Sequence, residues 1–177
     1  MKKIQMVDLI SQYEEIKPEV DQGISNILAS AAFINGPDVR EFESELAEFL
    51  GVKHAVGCAN GTDALQMAMM ACNFPMGAEV ILPDFTFVAT AEVVKLLGFK
   101  PVFVDVDPDT FNLDVEQVEE NINENTKAIV PVHLFGQCAD MDPILELASR
   151  HGIRVLEDTA QAFGSEYYSS SGETKRG

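Results

Sequence analysis

Beyond Gly51 the chain alternates short apolar runs with amphipathic stretches of helical period, and that alternation leaves few folds open. HAVG precedes a helical stretch from about Thr62, EVILP one from about Thr86 to Leu97, and PVFVDV one around Val115 to Ile122. KAIVPV precedes one around Pro143 to His151, and Gly152 then introduces IRVLED. The pattern predicts five strands in βα alternation. Parallel strands need crossovers, which helices supply, and right-handed connections put those helices on both faces of the sheet. The expected class is therefore α/β with a mainly parallel sheet. Such sheets bind ligands at the carboxyl ends of their strands, so the residues to weigh follow each apolar run.

Two amphipathic helices are expected ahead of this region. Val20, Ile24, Ile27 and Leu28 recur at helical spacing between Pro18 and Ala31, as do Val39, Phe42, Leu46, Phe49 and Leu50 before Gly51. Between them FINGP, Phe33 to Pro37, marks a turn, and Asp38 is placed to begin the second helix. The tail EYYSSSGETKRG reads as a strand, a polar turn and the start of a return strand.

With 46% hydrophobic residues in 177, the chain can bury one substantial core. Twelve Lys and Arg against 29 Asp and Glu give a formal net charge of -17, which repels nucleic acid and anionic membrane surfaces. An anionic ligand therefore needs a local site built from backbone amides or a few basic groups. Cys58, Cys72 and Cys138 lack C-x-x-C spacing and imply neither a disulfide framework nor zinc. MKKIQMVDL lacks both the apolar run of a signal peptide and the ~20 residues of a membrane span, so a soluble cytoplasmic protein is expected.

Three strand ends carry candidate chemistry. In CANGTDAL, Gly61 allows close backbone approach, the amides of the next helical turn point outward, and Thr62 adds a hydroxyl, so a phosphate fits. Asp63 would contribute only its amide; an ordinary N-capped helix explains the same residues. In PDFTFVATAE, one of Phe85 and Phe87 can lie against a planar ligand while the other packs inward, unless both are core aromatics. In LEDTAQAFG, Asp158 is either the N-cap of a following helix or a carboxylate placed beside a protonated pyridine nitrogen.

Two further features weigh less. Asp105, Asp107, Asp109 and Glu116 mimic a calcium loop, but Thr110 stands where that loop needs Gly and Pro108 interrupts it. His133 and Gln137 either line the pocket or stabilise a turn.

Taken in order, FINGP, EFE, CANGTDAL, PDFTFVATAE, DVDPDTFNLD, KAIVPVHLFGQCADMD and LEDTAQAFG resemble the N-terminal half of the DegT/StrS-type sugar aminotransferases, over nearly the whole chain. CANGTDAL and GQCADMD look most like the branch acting on 3-oxo nucleotide sugars. The resemblance implies a type I aminotransferase large domain that binds pyridoxal 5'-phosphate, with residues 1–37 as an N-terminal helical segment and 38–177 as part of that domain. It implies that Gly61, Thr62 and Asp63 hold the cofactor phosphate, Phe87 stacks on the ring, Asp158 pairs with the ring nitrogen, and Gln161 bonds the phenolic oxygen, while Phe33 lies near the sugar.

The same resemblance implies an amino-acid donor, glutamate, a 3-oxo nucleotide-sugar acceptor and a homodimer. The family's Schiff-base lysine follows an S-[FY]-x-P-[ST]-K-N-type segment, and none of Lys2, Lys3, Lys17, Lys53, Lys95, Lys100, Lys127 and Lys175 sits in such a context. The isolated chain is therefore expected to be inactive, with that lysine beyond Gly177. Three alternatives stand beside this reading. They are a sugar dehydratase of the same fold, with histidine replacing the lysine; a noncatalytic cofactor- or sugar-nucleotide-binding module; and a dinucleotide-binding domain, which would lack its Gly-rich fingerprint.

Overall fold

A computed structural model describes Ile4 and residues 7–176; the rest of the MKKIQM opening and Gly177 lie outside the described residues. Four parallel strands, β1 (Glu79–Pro83), β2 (Lys100–Val104), β3 (Thr126–Ile129) and β4 (Arg154–Val155), form one sheet in the order β2-β1-β3-β4. Helices α4 (Ala89–Leu96), α5 (Val115–Asn121) and α6 (Met141–His151) make the three crossovers.

Alternation along the strands divides the core between the two faces. Val80, Leu82, Ala128 and Val130 pack with Met69 of α3 (Gly61–Ala71) and with Val93 and Val94 of α4. Ile81 and Ile129 face the other way, onto Val118 of α5 and onto Ile144 and Leu147 of α6. β1 is buried along its whole length because it stands between two strands and under helices on both sides, which is why EVILP reads as a continuous apolar run. At its start Glu79, 8% exposed, accepts from Lys100 Nζ at 2.7 Å and from Asn123 Nδ2 at 2.7 Å.

The first expected strand does not form. HAVG is coil, with Val56 78% exposed, and among the described residues no neighbouring segment completes a ladder along it. An apolar run becomes a strand only where another strand satisfies its amides and carbonyls. Accordingly the described sheet has four strands rather than five.

The first helix is longer than its periodicity indicates. α1 runs Leu9–Ser30 with Pro18 inside, and Asp8 caps it through Ser11 N at 3.1 Å. Gly36 then makes the turn into α2 (Pro37–Leu50), since a Cβ at Gly36 would lie 2.5 Å from the Ala32 carbonyl oxygen. α2 begins at Pro37, with Asp38 in its first turn. The tail forms the expected hairpin, β5 (Glu166–Tyr168) antiparallel to β6 (Thr174–Arg176).

Candidate active site

The strand order reverses direction between β1 and β3, and the crevice at such a switch point is where an α/β sheet admits ligands. A cavity of about 540 Å³ lies there, lined by Gly61, Thr62, Phe87, Asp158 and Gln161 among others. Those five residues come from three loops, and the fold brings all of them to one space.

α3 supplies the first wall. Asn60, in extended backbone geometry, caps the helix by accepting from Asp63 N at 3.0 Å and returns Nδ2 to Asp63 Oδ2 at 3.0 Å. The Asp63 amide is therefore engaged, and Asp63 lines a separate hollow beside Cys58 and Gln66. The amides of Gly61 and Thr62 belong to the first turn, which offers them no acceptor inside the helix, and the macrodipole favours an anion at this end. A Cβ built on Gly61 would meet nothing within 4 Å, and its φ is not positive. Neither packing nor backbone geometry demands glycine there.

The loop after β1 supplies the second wall. Phe87 is 69% exposed at the cavity, whereas Phe85 turns away and clusters with Phe111 and Phe135 at centroid distances of 5.8 and 6.4 Å. Neither ring is a core residue. Phe85, half exposed, packs on those surface rings rather than inward. Between them Thr86 lines the cavity, and among the described residues its buried Oγ1 has no hydrogen-bond partner.

Asp158 supplies the third. A parallel bridge to Val132 prolongs the β3–β4 pairing, with His133 N donating to Asp158 O at 3.0 Å and Asp158 N to Pro131 O at 2.9 Å. The side chain is 8% exposed. Its Oδ1 accepts from Ala160 N at 3.2 Å and its Oδ2 from Thr90 Oγ1 at 2.9 Å. A turn rather than a helix follows, so Asp158 caps no helix. In that turn Gln161 Oε1 accepts from Phe135 N at 3.0 Å, which leaves its amide NH₂ as the donor end.

Glu157, the adjacent carboxylate, also borders the cavity, and its Oε2 meets His133 Nε2 at 3.0 Å. His133 is buried, and its Nδ1 accepts from Ala139 N at 3.0 Å, so the proton resides on Nε2 and is donated to Glu157. Of the two roles open to His133, the structure gives it the turn-stabilising one. Gln137 closes the same turn through its amide to Leu134 O and lies in a different surface hollow. The Cys138 thiol is pushed up by burial and then by the charge of Glu157.

Phe33 is not among the residues at this cavity; it sits in the turn between α1 and α2, 63% exposed. Asp107 Oδ1 accepts from Asp109 N and Thr110 N, each at 2.9 Å, which makes the segment an Asx turn. Sequence reading passes over Thr86 and Thr90. The signal that could have found them is the spacing TFVAT, which brings two hydroxyls four residues apart and the ring of Phe87 into one turn after a buried strand.

The sequence profile of the DegT/DnrJ/EryC1/StrS aminotransferase family matches residues 14–175. The UDP-2-acetamido-2-deoxy-3-oxo-D-glucuronate aminotransferase of Pseudomonas aeruginosa is 53% identical over 164 residues, 93% of this chain and 46% of that protein. The crystal structure of S. venezuelae DesV superposes with a TM-score of 0.89 at 41% identity, over 92% of this chain and 44% of that one. E. coli GDP-4-keto-6-deoxy-D-mannose-3-dehydratase, solved with bound hydrated PLP, shares the fold at a TM-score of 0.78 and 29% identity, over 84% of this chain and 40% of that one. The chain thus spans a little under half the length of the proteins it matches.

Proposed function

The chain belongs to the DegT/DnrJ/EryC1/StrS aminotransferase family, and from that premise we propose that its cavity holds pyridoxal 5'-phosphate in a sugar aminotransferase. The whole enzyme moves an amino group from an amino-acid donor, glutamate, to a 3-oxo nucleotide sugar. The relative at 53% identity bears the name of such an aminotransferase, whereas the dehydratase stands at 29%, which favours amino transfer over dehydration.

One observation carries the reading: Gly61, Phe87 and Asp158 line a single cavity at the switch point of the sheet. Pyridoxal phosphate has three features to recognise: an anion, a flat face and a ring nitrogen. The amides of Gly61 and Thr62 with the Thr62 hydroxyl receive the phosphate, in the open space beside Gly61. Phe87 covers the ring face, and Asp158 accepts the N–H of the ring nitrogen. Gln161 gives its NH₂ to the phenolic oxygen, its other end being fixed by Phe135 N. Thr86 Oγ1, buried without a partner among the described residues, is a donor that a ligand's acceptor would satisfy.

When bound, the cofactor supplies an electron sink for carbanion chemistry, and Asp158 contributes by keeping its nitrogen protonated. The Schiff-base lysine is expected from the part of the enzyme beyond these residues, so this chain alone binds without turning over. Residues 38–177 act as part of the cofactor-binding domain, with 1–37 as a helical segment beside it, and Phe33 reaches the sugar only in the whole protein. That protein works as a cytoplasmic homodimer. Exposed apolar residues on α1, among them Ile10, Ile16, Ile24 and Leu28, give a partner subunit something to cover. No helix among the described residues is long and apolar enough to cross a membrane.

Pyridoxamine 5'-phosphate is the suitable probe, because it needs no lysine to bind. Titrated into the chain, it is expected to saturate one site, with pyridoxamine lacking the phosphate and NADH both binding roughly tenfold more weakly or worse, the loss of one to two charge-assisted contacts. Equal affinity for all three, or preference for NADH, would defeat the proposal.

A further inference from the structure

We propose that Thr90 is a positioning residue for Asp158, aiming its carboxylate at the ring nitrogen of the bound pyridine; the inference rests on the cofactor reading above. The two residues are 68 apart in sequence, and their hydrogen bond is buried. Thr90 is 1% exposed and Asp158 8%. A carboxylate only accepts, so the direction is set: the hydroxyl donates to Oδ2 at 2.9 Å.

Two details give this bond a role beyond packing. First, it completes the pinning of the carboxylate. Ala160 N holds Oδ1 at 3.2 Å and Thr90 holds Oδ2, so the plane of the group cannot turn, and each oxygen keeps a lone pair for one further donor. Without Thr90, a single amide contact would leave the carboxylate able to rotate about that contact.

Second, Thr90 lies in the first turn of α4, and its amide donates to the Phe87 carbonyl at 3.4 Å. Phe87 and Thr90 are thus in one turn, so the bond to Asp158 ties the residue at the ring face to the residue at the ring nitrogen. Spacing between those two contacts is what a planar ligand reads.

The test uses the chain with pyridoxamine 5'-phosphate labelled with ¹⁵N at the ring nitrogen, in wild type, Thr90→Val and Thr90→Ser. Valine keeps the shape and removes the donor; serine restores the donor. In wild type the bound nitrogen is expected to resonate as a protonated pyridinium. In T90V it is expected to move toward the unprotonated position, and the dissociation constant to rise roughly three- to tenfold, the worth of one hydrogen bond. Serine is expected to restore both.

A merely structural role changes the melting temperature without moving the nitrogen signal, so circular dichroism melts accompany each titration. Bound T90V with a wild-type nitrogen signal overturns the inference. Should T90V fail to fold, Thr90→Ala against Thr90→Ser provides the same contrast, and equal signals in those two overturn it as well. Absence of binding by the wild type removes the cofactor reading and this inference with it.

Discussion

Asparagine at position 158 separates the charge of that side chain from its shape. In the folded chain Asp158 makes two hydrogen bonds, from Ala160 N to Oδ1 and from Thr90 Oγ1 to Oδ2. Asparagine preserves both: its carbonyl oxygen accepts from Ala160, and its NH₂ donates to the Thr90 oxygen, whose hydrogen can rotate away. The expected change in unfolding free energy is under about 1 kcal/mol, the difference between hydrogen bonds to charged and to neutral acceptors. The ligand loses more. A bond between a ring N–H⁺ and a carboxylate is worth about 1.5–3 kcal/mol, so the dissociation constant of pyridoxamine 5'-phosphate should rise roughly 10- to 150-fold. Calorimetric titration at neutral pH measures the affinity, and urea denaturation measures the fold. Asp158→Asn that binds within about twofold of wild type would refute the pairing of Asp158 with the ring nitrogen. Lost binding together with unfolding would refute the claim that charge and shape separate here.

Gly61→Ala is expected to act with opposite signs on fold and ligand. Beyond its chain neighbours and the backbone of its own helix the added methyl meets nothing within 4 Å, so the variant should unfold at the same or higher urea, by about 0.4–1 kcal/mol, while binding phosphate-bearing pyridoxamine more weakly and bare pyridoxamine unchanged. Glu79→Gln addresses the ion pair at the start of β1. Lys100 first, and then Asn123, hold the Glu79 carboxyl below its ordinary value of 4.5. Its contribution is therefore complete above that pH and fades as pH falls through the lower folded value. Because the Lys100 side chain is 67% exposed, the loss at neutral pH should be only about 1 kcal/mol. Urea curves should show the gap between wild type and variant closing below pH 4.5; a gap that persists at about pH 3 contradicts the assignment.

Most of the sheet is readable from sequence because its strands are buried on both faces. EVILP and KAIVPV are short, dense apolar runs, and runs of that length between helical stretches fit little besides a parallel strand covered on both sides. HAVG carries the same local signal, yet it is coil, since pairing depends on a neighbour that its own four residues do not specify. The start of α1 escapes sequence reading for a local reason: Pro18 reads as a first-turn residue, but the helix runs through it from a cap at Asp8. In the site, Phe87 and Asp158 are legible as strand-end residues and Gly61 as the start of a helix, although the strand expected before it does not form. The engagement of the Asp63 amide is not, because Asn60 competes for it, and the bond between Thr90 and Asp158 joins positions 68 apart that no spacing rule connects. The left-handed backbone at Phe111 and Phe135 likewise has no sequence signature, since bulky residues seldom adopt it.

Each of the three motifs is weak alone, and the topology explains how they gain meaning together. From β1 the chain moves outward to β2 and then returns across to β3, so the crossovers leave opposite faces at the β1/β3 boundary and open a crevice above it. The loop after β1 must start on one side of that crevice, which places Phe87. β3 continues past its last paired residue to Val132, where the bridge to Asp158 draws the end of β4 to the same level. α3 packs on α4 over the shared face, which brings its N-terminus at Gly61 to the same rim. Convergence therefore depends on how far β3 extends rather than on any one loop. Val132→Pro perturbs that extension, because a proline ring holds its own φ near about −65°, away from the roughly −120° of a paired parallel strand, and so turns the flanking Pro131 carbonyl and His133 amide that bond Asp158. Titration with pyridoxamine 5'-phosphate beside urea denaturation is expected to show binding weakened more than the fold, since the disturbance reaches Asp158 before the core below; unfolding with undiminished affinity in the molecules that remain folded would refute this account of the convergence.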